Sequence, residues 1–413
     1  MRETSLRYHA PFRPGPVRIA NRALGLLGSP GRLEVRPLFK EASRRVGYAD
    51  FGSAPLEEPL AHLCESLKTE ARLTPLGRLL VRERLLGLLT ARLRVERALL
   101  RRPDVRALPL SPLTLIVGLQ RTGTTLLHRL LTADPQRRWL ASWESLNPVP
   151  IAPDAPLTAS PERRIRAARL AEKTLAYLAP DFFAVHPVDA TEAEEDVLLL
   201  DHTLLSTVSE ATLRVPRFSR WLEEQDQRPA YRYMALLLRL LSAQRGTRAW
   251  VLKSPHHLEW LDVILEMFPD TRVIWTHRDP AVAVPSFCSM VAHGRGVFSD
   301  AVDPREVGEE WLRKTARLVS RALHARAAHE GRFIDVHYAD LVADPVAEVR
   351  RVHAALGDRF DPETERRVRA KLAAHPQHKY GRHRYEPASF GLDASRVHVA
   401  FPEYMARFLA PRR

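Results

Sequence analysis

Short apolar runs alternate with longer amphipathic segments over most of the chain after residue 110. The runs stand in LTLIV, RAWVLKSP, TRVIWTHRDP and GRFIDVHYADL. Between the later runs, apolar residues recur at helical spacing over 257–267, 281–291 and 307–329. A continuous apolar run bounded by turn residues is typical of a strand buried on both faces, and strands that alternate with helices form parallel sheets. The pattern predicts an α/β fold: a P-loop-like parallel sheet flanked by helices.

The stretch before residue 109 carries only the helical pattern. A short amphipathic piece at 17–27 lies in a start rich in Pro, Gly and Arg, and 56–102 predicts a helical pair. Thr74 is the expected N-cap of the second helix, since Pro75 follows at the first helical position. We therefore expect an N-terminal helical region at 1–108 and an α/β domain at 109–413. That domain is expected to carry a helical insert at about 150–246, with helices at 161–178, 191–205 and 228–244.

Composition and cysteine content narrow the class of protein. The chain has 413 residues, of which 45% are apolar, so a sizeable core is available. Two cysteines, Cys64 and Cys288, argue against a disulfide framework and favour a reducing compartment. The start lacks the apolar core of a signal peptide, and no apolar run reaches the roughly 18 residues of a bilayer span. We expect a soluble, cytoplasmic protein.

The chain is strongly basic, with a net charge of +14 and a pI of about 10.2. Such a charge attracts polyanions, membrane surfaces and small anionic substrates without choosing among them. Of the 63 basic residues only seven are lysines. A lysine at the end of a strand therefore carries more weight here than it would in a lysine-rich chain.

The stretch LTLIVGLQRTGTTLLHRLL, residues 113–131, predicts a strand, a glycine-containing loop and the start of a helix. Such an arrangement binds anions, because unpaired amides and the helix dipole both point at the ligand. Gly118 and Gly123 have the spacing of the phosphate loop of nucleotide triphosphatases, but Thr124 stands where those proteins have lysine. Arg121 is the nearest cation. A structural turn with accidental glycines is the alternative.

Two further strand ends carry cationic candidates. Lys253 ends the run WVLK and would point into the crevice at the strand ends, although a lysine that reaches water is the alternative. Arg278 follows the run VIWTH, and Ser286 lies eight residues later. An arginine and a serine at a strand-to-helix junction can hold a second phosphate. Pairing of Arg278 with Asp279 or Asp270 is the alternative.

Together these motifs resemble the sulfotransferases that use 3′-phosphoadenosine 5′-phosphosulfate, in particular a bacterial branch with a helical N-terminal extension. In that family, the loop matched by RTGTT holds the 5′-phosphosulfate. A strand-end arginine and a serine eight residues on, here Arg278 and Ser286, hold the 3′-phosphate. The resemblance also covers WES with PVP, LKSPHHLEW, YADLVADP and KYGRHRYEPASFGLD, and it runs from about residue 40 to the end.

The resemblance implies transfer of a sulfuryl group to a hydroxyl, or an amine, of an unidentified acceptor. The donor is the expected co-substrate, and no metal is expected. Arg121 and Lys253 are implied catalytic cations on the leaving-group side. The implied donor-binding residues are Arg121, Thr122, Gly123, Thr124, Thr125, Arg278, Ser286, Tyr338 and Arg382.

An acceptor hydroxyl needs a general base, and related enzymes use a histidine or a glutamate shortly after the loop helix. Glu144 is the only carboxylate between Asp134 and Asp154 and is our first candidate. An ion pair of Glu144 with Arg137 or Arg138 is the alternative, and His256 is the reserve base. Glu194 and Glu195 are weaker candidates, which would either meet the acceptor or form the solvated start of a helix. Trp139 and Trp143 are candidates for the acceptor pocket.

Rival functions remain at this stage. A nucleotide kinase or ATPase would need a carboxylate for magnesium, and Asp335 is available. A basic module that binds nucleic acid or a membrane is the other rival, although no aromatic RNA-binding signature is present and we expect no nucleic-acid partner. The segment 12–28 would touch an anionic membrane surface if the acceptor is lipidic. The acceptor class (small molecule, glycan or lipid) and the oligomeric state stay open. Zinc binding by His375, His378 and His383 is disfavoured, since no cysteine is near.

Overall fold

The centre of the molecule is a five-stranded, all-parallel sheet. The computed structural model describes residues 8–9, 11, 13–26, 31–152, 154–186, 188–374 and 384–410. The strands lie side by side in the order β2-β3-β1-β4-β5. They are β1 (Leu113–Val117), β2 (Arg137–Arg138), β3 (Ala249–Lys253), β4 (Arg272–His277) and β5 (Phe333–His337).

The four long strands fall where the apolar runs predict them, and the predicted fold class is confirmed. Strand β1 is buried along its whole length, with Leu115 opposite Leu252 of β3 and Val273 of β4. The two-residue strand β2 was not predicted, since two arginines carry no strand pattern. Because all strands run the same way, the chain leaves all of them at the same edge of the sheet.

Helices cover both faces of the sheet. They are α1 (Gly15–Leu26), α2 (Val35–Val46), α3 (Glu57–Thr69), α4 (Pro75–Arg101), α5 (Thr124–Leu131), α6 (Ser142–Leu146), α7 (Glu162–Leu178), α8 (Pro180–Val185), α9 (Val197–Leu200), α10 (Val208–Thr212), α11 (Pro216–Glu223), α12 (Arg228–Arg245), α13 (Leu261–Met267), α14 (Pro280–Phe298), α15 (Pro304–Ala327), α16 (Tyr338–Ala343), α17 (Pro345–Leu356), α18 (Pro362–Ala374), α19 (Ala394–Val399) and α20 (Pro402–Tyr404). None of the described helices has the length and apolar content that a bilayer span requires.

Most predicted helices are present, with one clear error. Thr74 caps α4 as expected, since its hydroxyl accepts from the amide of Gly77, and α7 and α12 match their predictions. The helix predicted at 191–205 is wrong. Only α9 and a 3-10 turn form there, and Leu204 ends the turn with φ of 60°. Helix α2 was not predicted at all.

The N-terminal helices share a core with the sheet. One cluster of buried apolar residues runs from α2, α3 and α4 into β1 and β3, and a second cluster lies on the other face under α5 and α17. The division at residue 108 stays a prediction about chain organisation, because the apolar core continues across it.

The closest junction between the two parts is at the start of α4. A Cβ built on Gly77 would lie 2.0 Å from the carbonyl oxygen of Phe298, the last residue of α14. The same carbonyl accepts from the amide of Thr74 at 2.9 Å. Glycine at 77 thus permits a contact that a methyl group would block.

Gly77→Ala should lower the free energy of unfolding by about 2 kcal/mol, since the methyl group forces α4 and α14 apart. The matched control is Gly87→Ala, an exposed position of the same helix with no atom within 4 Å of the added carbon. That change should raise stability by about 0.5–1 kcal/mol through helix propensity. Urea unfolding monitored by circular dichroism measures both; equal stabilities for the two variants would contradict the tight junction.

Candidate active site

A cavity of about 730 Å³ opens at the edge of the sheet where the strands end. Residues that follow four different strands line it: Arg121 after β1, Ser254 after β3, Arg278 after β4 and Tyr338 after β5. Ligands of open parallel sheets bind at this edge. The predicted anion loop and Arg278 therefore meet at this cavity. Lys253 and Ser286 do not line it, but they contact Thr125 and Arg121, which do.

The loop between β1 and α5 has a backbone that glycine alone can adopt at two points. Gly118 has φ of 149°, and a Cβ there would lie 2.2 Å from the hydroxyl of Thr276. Gly123 has φ of 90°, and its Cβ would meet the ring of Tyr338 at 3.0 Å. Arg121 also has positive φ, at 72°, which is costly for a residue with a side chain. No side chain caps α5, so its first amides face the cavity edge as anion donors.

The hydroxyl of Thr122 braces the loop and does not face the cavity. It donates to the carbonyl of Leu119 at 2.6 Å and lies 2.6 Å from the hydroxyl of Thr276 on β4. Thr124 and Thr125 do line the cavity. The side chain of Thr122, which we predicted to bind the ligand, therefore stabilises the loop instead. Only its backbone amide is left for a ligand.

Arg121 and Arg278 are two neighbouring cations beside the loop between β1 and α5. Arg278 Nη1 donates to the carbonyl of Arg121 at 2.8 Å, and its guanidinium stacks on the ring of Tyr338 at 4.0 Å. Arg121 Nε donates to Ser286 Oγ at 3.3 Å. Burial lowers the pKa of Arg121, and the nearby Arg278 lowers that pKa further. Within the described ranges neither guanidinium meets a carboxylate. The alternative for Arg278, pairing with Asp279 or Asp270, is therefore absent there.

Lys253 reaches the same cavity edge from β3. It is 3% exposed, and its Nζ donates to Glu195 Oε1 at 2.5 Å and lies 3.5 Å from the hydroxyl of Thr125. Lys253 is therefore not a lysine that extends into water. Glu195 lines the cavity, so a cation and a carboxylate stand together beside the start of α5.

A buried hydrogen bond next to Glu195 holds that residue in this position. The next residue, Asp196, is fully buried and accepts from His257 Nε2 at 2.6 Å, and Tyr231 donates to the other ring nitrogen at 3.0 Å. Sequence reasoning ranked Glu195 and His257 low. The residues stand in two short motifs, EED and KSPHH, which are rich in titratable groups. The sequence near each motif does not show that the two motifs contact each other.

His256 also lines the cavity, with Nδ1 3.2 Å from the hydroxyl of Thr207. Burial and the nearby His257 hold the pKa of His256 well below its usual range, so the ring is neutral near pH 7. Among the described residues Nε2 has no hydrogen-bond partner. His186 lines the cavity as well, and burial lowers its pKa too.

The structure does not bring Glu144 to the cavity, which corrects our first choice of base. Glu144 is 0% exposed, and Oε1 accepts from Arg138 at 2.9 Å and from Arg245 at 3.1 Å. Oε2 accepts from the amide of Ala141 at 3.0 Å. The alternative, an ion pair with Arg138, is what the structure shows. Neither Trp139 nor Trp143 lines the cavity; both pack in a small cluster beside α7.

Some predicted residues lie outside the described part of the chain, namely Arg382 and the three histidines His375, His378 and His383. Within the described part, no group of three or more His, Cys, Asp or Glu side chains could hold a metal ion. Asp335, the possible magnesium ligand, accepts from Arg326 at 2.6 Å and from His277 at 2.8 Å. Its carboxylate is thereby engaged by two cationic or donor groups.

The rest of the cavity wall is mainly apolar. Many of its apolar residues come from α6–α10, α14, α15 and α16 or from the segment between α8 and α9, and these include Leu146, Ala168, Ala171, Leu175, Phe182, Val188, Val197, Leu198, Val208, Ala211, Phe287, Met290, Trp311 and Val342. The cavity thus has a cationic end at the loop and an apolar wall facing it.

A model of the sulfotransferase family matches residues 112–362, more than half of the chain and every strand of the sheet. The chain belongs to the sulfotransferase family. It is an enzyme of the transferase class, as the resemblance implied.

Mycobacterial sulfotransferases are similar to this one over most of its length. Proteins named omega-hydroxy-beta-dihydromenaquinone-9 sulfotransferase Stf3, from Mycobacterium bovis and Mycobacterium tuberculosis, are each 28% identical over 284 residues, 65% of this chain and 68% of the relative. The crystal structure of sulfotransferase STF1 from Mycobacterium tuberculosis H37Rv is 30% identical with a TM-score of 0.74, covering 89% of this chain and 98% of that one. Sulfotransferase STF9 from Mycobacterium avium is 28% identical with a TM-score of 0.81, covering 91% and 97%.

Glu144→Gln should lower the stability of this sulfotransferase. Removing one partner of a buried pair leaves Arg138 uncompensated, so the free energy of unfolding should fall by about 3 kcal/mol. Glu162→Gln, an exposed carboxylate at the start of α7, is the control and should change stability by less than about 0.5 kcal/mol. Urea unfolding measures both. If the stability is unchanged and turnover is lost, Glu144 has a catalytic role instead of a structural one.

Proposed function

We propose that the chain transfers a sulfuryl group from 3′-phosphoadenosine 5′-phosphosulfate to the hydroxyl of an acceptor with a large apolar part. The observation that supports this sulfuryl donor is the neighbouring pair Arg121 and Arg278. These guanidiniums stand together, partly removed from water and without a carboxylate among the described residues. Such a pair is stabilised by an anionic ligand that brings more than one negative group.

The donor has two separated anionic ends, and the cavity offers two matching sets of donors. The amides at the start of α5, the hydroxyls of Thr124 and Thr125 and the Arg121 guanidinium suit the 5′-phosphosulfate. Arg278 and Ser286 suit the 3′-phosphate. Tyr338 carries the stacked Arg278 and closes against Gly123, so it supports both sets.

The reaction breaks the bond between sulfur and the oxygen of the 5′-phosphate and forms a bond between sulfur and the acceptor oxygen. The leaving phosphate takes the electron pair of the broken bond, and the acceptor hydroxyl loses its proton. Arg121 and Lys253 place positive charge beside the leaving group. One such preorganised cation lowers the activation free energy of transfer by about 3 kcal/mol. Transfer needs no metal in this scheme.

Glu195 is our candidate to take the proton. Its carboxylate lines the cavity and touches Lys253 Nζ, which in turn reaches Thr125. A sulfonate bound beside Thr125 would compete for that ammonium and free the carboxylate for the acceptor hydroxyl. His256 is the second candidate, because its ring is neutral and Nε2 is without a partner in the described part of the chain.

The acceptor class follows from the walls of the cavity. Apolar side chains from several helices face the cationic end, so an acceptor buries an apolar body there and presents a hydroxyl to Lys253 and Glu195. The mycobacterial Stf3 relatives are named for a hydroxylated menaquinone. We extend to this chain only the chemical class, an alcohol with a long apolar part.

A nucleotide kinase or ATPase is disfavoured by the residues themselves. Thr124 stands in the place of the phosphate-loop lysine, and Asp335 is engaged by Arg326 and His277. A magnesium-bound triphosphate would find neither of its usual partners.

Adenosine 3′,5′-bisphosphate should stabilise the protein by about 2.7 kcal/mol at a hundredfold excess over its dissociation constant. ATP with magnesium should have little effect. The double variant Arg278→Ala, Ser286→Ala should lose the stabilisation, whereas Arg217→Ala, an exposed arginine of α11, should keep it. Thermal unfolding measures all four. Stabilisation by ATP with magnesium alone would contradict the donor.

Glu195→Gln should keep bisphosphate binding and lower kcat by about two to four powers of ten, because the acceptor proton loses its base. Glu162→Gln, which changes an exposed carboxylate outside the cavity lining, is the control and should leave kcat unchanged. Transfer from radiolabelled donor to farnesol, an apolar primary alcohol, provides the assay. If His256→Gln abolishes transfer while Glu195→Gln does not, His256 is the base.

A further inference from the structure

Helix α7 forms part of the cavity wall and has two different faces. Its inner residues Ala168, Ala171 and Leu175 line the cavity. Its outer face is exposed and combines cations with large apolar side chains. Along the stripe i, i+3, i+7, i+10, i+14 stand Arg163, Arg166, Leu170, Lys173 and Tyr177.

The apolar members of this stripe are unusually exposed, with 68% for Leu170 and 54% for Tyr177. Leu146 and Val342, which lie on the cavity wall, are also exposed. These four account for four of the nine large apolar side chains that are exposed in the described part of the chain. These four lie on α7 or on the cavity wall, and the other five are distributed over α1, α4, α14 and α19.

The cations of α7 are the second feature of this face. Many exposed arginines of this chain bind a carboxylate, as Arg44 does with Glu41 and Arg313 with Glu223. In the described ranges Arg163, Arg166, Arg169 and Lys173 enter no ion pair. The helix has five cations and two carboxylates, and one of the two, Glu172, accepts from the amide of Ala190. This outer face is thus a basic surface whose charge the rest of the described chain does not neutralise.

We propose that the outer face of α7 docks the enzyme on an anionic lipid bilayer. Unpaired Arg and Lys attract acidic headgroups, while Leu170 and Tyr177 enter the boundary between headgroups and acyl chains. Docked in this way, α7 lies between the bilayer and the cavity, and a lipidic acceptor enters past Leu146 and Val342. The docking surface stands on its own observations. The vesicle assay needs no turnover, so its failure leaves the proposed donor and reaction intact.

Helix α1, the segment that the sequence favoured for membrane contact, is the rival surface. Its exposed face carries Arg18, Ile19, Arg22 and Leu26, with Ile19 69% and Leu26 90% exposed. It lines no part of the cavity wall. A docking site there would hold the protein at a membrane without presenting the cavity.

Sedimentation with vesicles of phosphatidylcholine and about 30% phosphatidylglycerol tests the docking surface. The charge variant (Arg163→Gln, Arg166→Gln, Lys173→Gln) should bind at least about tenfold more weakly than the wild type. The apolar variant (Leu170→Ser, Tyr177→Ser) should also bind more weakly, because less apolar area enters the interface. The control (Arg217→Gln, Arg220→Gln, Arg232→Gln) removes three exposed arginines of α11 and α12 that have no ion pair in the described chain, and it should bind as the wild type does.

Five results would overturn the proposal. The wild type fails to bind these vesicles, or the charge variant binds as well as the wild type does. The apolar variant is unaffected, which would make α7 a general polyanion surface. Ultracentrifugation shows a dimer that the apolar variant converts to a monomer, which would assign the face to a second copy of the chain. Release by Ile19→Ser, Leu26→Ser with retained binding of both α7 variants would move the site to α1.

Discussion

The contact between the phosphate loop and the end of β4 determines where the cationic groups of this enzyme lie. Gly118 passes so close to Thr276 that no side chain fits, and the hydroxyls of Thr122 and Thr276 meet at 2.6 Å. This contact fixes the loop against the strand that is followed by Arg278. Arg121 and Arg278 are thereby held together, although like charges repel. The backbone geometry, including the positive φ of Arg121, maintains an arrangement that the side chains alone would not adopt.

A second anchor joins the helical insert to the sheet. Asp196 and His257 form a buried pair, and His257 lies just after β3, so the pair holds Glu195 beside the lysine that ends the same strand. A buried hydrogen bond adds only modestly to the net stability of a fold. Its consequence here is positional. The carboxylate of Glu195 and the ammonium of Lys253 meet at the cavity edge because the two segments are fastened next to them.

The sequence was most informative where structure is local and least where distant segments meet. The strands β1, β3, β4 and β5 and the cap at Thr74 follow from apolar runs and from residues a few positions apart. Glu144 has the right residue type and spacing for a base, but Arg245, 101 residues away, binds it. The interrupted helix at 191–205 has a similar cause, since the segment that holds Glu195 is shaped by its attachment to β3 and not by its own periodicity.

The cavity has a cationic end and an apolar wall, and these favour ligands of opposite polarity. Helix α7 forms part of the apolar wall. At the loop end, Arg121 and Arg278 meet no carboxylate in the described part of the chain and so favour a multiply charged ligand. At the other end, apolar walls favour an acceptor that water dissolves poorly. An acceptor of that kind partitions into membranes, so an enzyme that captured it from water would work at a low substrate concentration. A cavity whose outer helix binds the bilayer surface avoids that limit, because the acceptor leaves one apolar environment and enters another. The exposed Leu170 and Tyr177 and the apolar inner face of α7 are then two parts of one route.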